Sequence, residues 1–77
     1  MIYMTIVLEL LQEQYPVLHR RLRLSRTLLR ELDRYATDLR SAHLRWIAEG
    51  MDHSAARELA VQELEERLTQ EAARLEA

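Results

Sequence analysis

One apolar pattern governs what this chain can become. Leu18, Leu22, Ser25, Leu29, Leu32, Ala36, Leu39, His43 and Trp46 follow one another at alternating steps of four and three. Side chains spaced in this way share one face of an α-helix, whereas a half-buried strand needs a step of two. The pattern predicts an all-α protein in which a long helix buries one face against a partner helix.

Composition narrows the reading. With 77 residues, there is room for one domain, spanning residues 1–77, near the lower limit for a self-sufficient core. Hydrophobic residues make up 48% of the chain, which argues against disorder. Phe is absent and Trp46 is the single Trp, so Leu, Ala, Val and Ile must fill the core. There is no Cys, hence no disulfide framework and no thiolate metal site. All eleven basic residues are Arg, as codon bias in a GC-rich bacterial genome produces. Met1 to Leu11 is apolar but too short to span a bilayer, and it lacks the charged start of a secretory signal. The expectation is a cytoplasmic protein with no membrane association.

Three helices are predicted, over about residues 5–14, 17–48 and 53–75. Thr5 is the expected N-cap of the first, whose apolar face carries Ile6, Val7, Leu10 and Leu11. Pro16 interrupts it, because a proline disfavours helical geometry in the residue before it and suits the first position of a new helix. Ser25 and Thr27 are potential capping residues inside the second helix. The heptad phase nevertheless runs through them, so a continuous helix is expected, with a break near Ser25 as the alternative. Gly50 is the stop, and Asp52 or Ser54 caps the third helix. That helix carries Ala56, Ala60, Val61, Leu64, Leu68, Ala72 and Leu75 on one side.

A fold-back at Gly50 sets Leu39 against Val61, Ala36 against Leu64, Leu32 against Leu68, and Leu29 near Ala72. It also brings Arg34 level with Glu66 and Arg30 with Glu71. The architecture predicted is a short N-terminal helix plus a long antiparallel helical hairpin, three-helix and coiled-coil-like. A 32-residue second helix would be about 48 Å long at ~1.5 Å per residue, too elongated for the short first helix to cover. That helix is expected to shield only the Leu18 to Leu28 end. Leu24, Leu28, Tyr35 and Ala42 then form a second apolar stripe, with Val17 and Ile47 near its ends, expected to face another subunit in a larger bundle formed by dimerisation, or another helical protein.

Chemistry is thinly represented. Arg20, Arg23, Arg30 and Arg34 form a basic stripe that could contact nucleic-acid phosphates. The net charge of -2 and pI of about 5.9 favour a solvated face instead. His43 and His53 flank the Gly50 turn and could approach each other, with Glu49 or Asp52 nearby, but no metal-ligand spacing accompanies them. No nucleophile–base arrangement and no Gly-rich phosphate loop is evident. Gly50 and Met51 with Ala55 and Ala56 locally resemble the Gly-Met/Phe loop of ubiquitin-associated domains. Those have three short helices and a second loop that this chain lacks, so nothing is carried over. The expectation is a non-enzymatic protein-interaction or oligomerisation module, with no cofactor, metal or small-molecule substrate. The alternative is a nucleic-acid-associated regulator.

Overall fold

The computed structural model describes residues 2–76, the side chain of Glu76 excepted; Met1 and Ala77 lie outside the described residues. The chain is helical in four segments: α1 (Ile2–Gln14), α2 (Pro16–Leu24), α3 (Leu28–Ala48) and α4 (His53–Glu76). There is no strand among the described residues. Thr5 lies inside α1, which already runs from Ile2, rather than capping it. Pro16 opens α2, and Tyr15 before it is held out of helical geometry at φ -132° and ψ 54°.

The expected long helix is broken. Residues 25–27 turn between α2 and α3. The Ser25 hydroxyl donates to the Leu22 carbonyl at 3.1 Å and lies 2.8 Å from the Thr27 hydroxyl. Such short polar side chains offer the backbone an alternative to the helical ladder. Arg26 adopts φ 62°. Its N–H donates to the Arg23 carbonyl at 3.1 Å, and the Thr27 N–H donates to the Leu22 carbonyl at 3.0 Å. Those two bonds are the Schellman closure of a helix C-terminus, with arginine where glycine is usual.

The same closure recurs at the end of α3. Gly50 takes φ 101°. Its N–H reaches the Ile47 carbonyl at 3.0 Å, and the Met51 N–H reaches that of Trp46 at 3.2 Å. Asp52 then caps α4, its carboxylate accepting the Ala55 N–H at 2.9 Å. α4 returns along α3: Arg45 pairs with Glu63 at 2.6 Å and, farther from the turn, Arg67 pairs with Asp38. The expected pairs of Arg34 with Glu66 and Arg30 with Glu71 do not form. Arg34 and Arg30 turn to Glu31 on their own helix, at 2.7 and 4.0 Å, and Glu71 pairs with Arg74.

The break re-phases the core. α3 packs against both α1 and α4. Its inward positions are Leu28, Leu32, Tyr35, Leu39, Ala42 and Trp46, with Ala36 beside them. They also step by four and three, but they merge two stripes that the sequence reading kept apart. Leu29, a heptad member on paper, is 76% exposed. Val7 and Leu11 of α1, Leu18 of α2, and Ala60, Leu64 and Leu68 of α4 complete the cluster. Bending at Ser25–Thr27 yields a body of 40 × 25 × 17 Å with a radius of gyration of 12.8 Å.

Candidate interaction surface

The four residues expected to face a partner have separate fates. Tyr35 is 2% exposed, so the chain has already spent it on its own core. Leu28 and Ala42 are half-buried and packed against the same cluster. The sequence reading erred because it let α1 cover one end only. In the bent chain α1 lies along α3 as far as His43, whose ring nitrogen bonds the Tyr3 hydroxyl. Leu24 alone stays available, at 66% exposure.

Leu24 is joined by Val17, the residue expected near the end of its stripe. Val17, Arg20, Arg21 and Leu24 are all exposed and stand at the i, i+3, i+4, i+7 spacing of one helix face. This face is opposite Leu18 and Leu22, by which α2 is anchored. Exposed Leu29 follows just beyond the turn. The stretch 16–30 holds five arginines and no carboxylate, which leaves six arginines against thirteen carboxylates elsewhere. Among the described residues, Arg20, Arg21, Arg23 and Arg26 form no salt bridge. The supposed basic stripe is thus divided by the turn. Arg20 and Arg23 sit on α2, free of acid, while Arg30 and Arg34 sit on α3 beside Glu31.

Beside this corner lies a shallow groove of about 550 Å³, lined by Tyr15, Gln62, Glu65, Glu66, Thr69 and Gln70. The Tyr15 hydroxyl donates to the Glu65 carbonyl at 3.2 Å and lies 3.0 Å from the Thr69 hydroxyl. It ties the α1–α2 junction to α4. Nothing in the sequence signals this role beyond a tyrosine before a proline.

The histidines do meet at the other end of the bundle. The rings of His43 and His53 stand edge to face with centroids 6.0 Å apart, on an open cleft of about 750 Å³ that Arg57 and Glu58 also line. His43 Nε2 lies 3.1 Å from the His53 carbonyl oxygen, which can only accept. Nε2 therefore carries the proton, and Nδ1 accepts from the Tyr3 hydroxyl at 3.0 Å. Both ring nitrogens are engaged in hydrogen bonds. No group of three or more His, Cys, Asp or Glu residues that could hold a metal ion occurs among the described residues.

Two further features of the core bear on stability. Tyr35 lies between the guanidinium groups of Arg34 and Arg67, at 5.5 and 5.4 Å from its ring centre. Burial pushes its hydroxyl above the usual phenol value. Trp46 is packed against the core, and its buried indole N–H has no hydrogen-bond partner among the described residues.

No helix among the described residues is long and apolar enough to cross a membrane. Comparison with family models, with curated proteins and with solved structures finds no match for this chain.

Proposed function

We propose that this chain is a small, non-enzymatic helical interaction module acting in the cytoplasm. In this reading α3 and α4 serve as a hairpin-like scaffold, and α2 with the start of α3 is the binding corner. One observation carries it: Val17, Leu24 and Leu29 are exposed within thirteen residues, interspersed with arginines that have no acid beside them. Isolated surface leucines are ordinary, but a run of them rimmed by charge is what interaction sites look like.

The test is affinity capture from the source organism with the parent chain and a Val17→Ser/Leu24→Ser/Leu29→Ser variant, read by mass spectrometry. A polypeptide retained by the parent and lost from the variant is the expected result. Identical captures would sink the reading.

A second reading rests on the arginines of α2 and the first half of α3. Arg20, Arg23, Arg30 and Arg34 would contact nucleic-acid phosphates. Four such contacts would give a log–log salt slope of about -3.6 on duplex DNA, lost when all four become Gln. The exposed Leu24 and Leu29 have no role in phosphate contact, so this reading ranks second.

A further inference from the structure

The partner of the α2 corner can be argued from charge. Direct pairing of α2 with its copy about a two-fold axis is disfavoured. Antiparallel contact that sets Val17 against Leu24 of the partner subunit also sets Arg20 against Arg21 of the partner subunit. Like charges would then meet at the centre of the contact with no carboxylate between them. The corner needs an acidic, partly apolar host, and the molecule carries one. The groove beside Tyr15 presents Glu65 and Glu66, neither of which forms a salt bridge among the described residues, over a floor that includes the Tyr15 ring. Groove and corner are close in the chain, since Tyr15 is the residue before Pro16, and α2 packs on α4, which lines the groove.

We infer that this chain forms a two-fold dimer in which α2 of each subunit docks on the Tyr15–Glu66 groove of the other. Arg20 and Arg21 meet Glu65 and Glu66 of the partner subunit, and the same contact is repeated across the axis. A two-fold interface is self-complementary in this manner: where one residue meets a second on the partner, the second meets the first across the axis. Val17 and Leu24 are covered on either side of the Arg20 and Arg21 ion pairs, where water exclusion strengthens those pairs. The face of a nine-residue helix is a small contact, so the dimer is reversible and salt-sensitive. This inference rests on the interaction-module reading and names its partner.

The test is charge reversal with the full chain, read by sedimentation and light scattering. The parent should dimerise at about 100 µM in low salt, with a dissociation constant that rises at least about tenfold between roughly 0.05 M and 0.5 M salt. Arg20→Glu/Arg21→Glu should be monomeric, and so should Glu65→Arg/Glu66→Arg. An equimolar mixture of the two should dimerise, because the reversed patches then meet each other on one side of the axis and the unaltered patches meet on the other. Circular dichroism checks that each variant is folded. If Glu65→Arg/Glu66→Arg is not, Glu65→Gln/Glu66→Gln must still weaken the parent dimer in low salt. A parent that stays monomeric in low salt overturns the inference, as does a dimer that survives Arg20→Glu/Arg21→Glu. If that monomer still retains a different protein through Leu24 in the capture experiment, the second copy is wrong and the interaction reading stands. If it retains nothing, both fall.

Discussion

Arg26→Gly should make this protein more stable. The two Schellman closures have the same pair of hydrogen bonds but different residues at the left-handed position, Arg26 at φ 62° and Gly50 at φ 101°. Holding a side-chain-bearing residue there costs about 1–2 kcal/mol. Glycine removes that cost but adds about 0.5–1 kcal/mol of unfolded-state freedom. The net gain is about 0.5–1 kcal/mol, or roughly 2–8 °C in Tm for a domain of this size. The Arg26 side chain is exposed and forms no salt bridge among the described residues, so its loss subtracts little. The reciprocal change is Gly50→Ala. A Cβ at Gly50 would meet nothing within 4 Å, so the penalty is that of the backbone alone. It should cost about 1 kcal/mol. Thermal and urea unfolding would be followed by circular dichroism in high salt at low protein concentration, which suppresses self-association. Arg26→Ala is the control, since it keeps the strain and removes the guanidinium; it should melt with the parent. A destabilised Arg26→Gly, or a neutral Gly50→Ala, would refute the reasoning.

Leu32→Ala should cost about 2–5 kcal/mol, whereas Leu29→Ala three residues earlier should stay within about 0.5 kcal/mol; equal losses in urea melts would mean that the straight heptad is correct after all. For Tyr35, the folded hydroxyl holds its proton more tightly than the unfolded one. Its contribution is therefore intact below the ordinary phenol value of about 10 and is lost as pH rises above it. Stability measured across the alkaline range should fall in the parent and fall less in Tyr35→Phe. Trp46→Phe removes a buried N–H that has no partner, which offsets part of the lost ring volume. It should change stability by about 1 kcal/mol or less, against about 3–5 kcal/mol for Trp46→Ala, by calorimetry.

Helix content, the Gly50 stop and the Asp52 cap were legible because each has a residue that announces it. Gly50 is cheap at positive φ, and Asp52 has an oxygen to offer an orphan N–H. The break at Ser25–Thr27 is built with the same bonds but without a glycine, and an arginine does not advertise a left-handed turn. The heptad ran through it undisturbed, so pattern and punctuation disagreed, and the punctuation prevailed. From that single misreading follow the others. Leu29 was placed inside and Tyr35 outside, and α1 was thought too short to reach His43. The long-range bonds of Tyr3 and Tyr15 depend on where the bent chain puts their rings, which no local pattern encodes. Of the binding corner, the arginines and Leu24 were visible. Its boundary was not, because it is drawn by the bend.

The separation of charge has a kinetic consequence. An isoelectric point averages over the molecule, and for this one the average describes neither end. With five arginines and no carboxylate in residues 16–30 and an excess of carboxylates elsewhere, the charge is unevenly distributed despite a net charge of only -2. An approaching charged body exerts a torque on the molecule before contact and presents the α2 corner to anything acidic. Orientation of this kind raises the encounter rate rather than the lifetime of a complex, and it fades once the ionic atmosphere is thinner than the body itself.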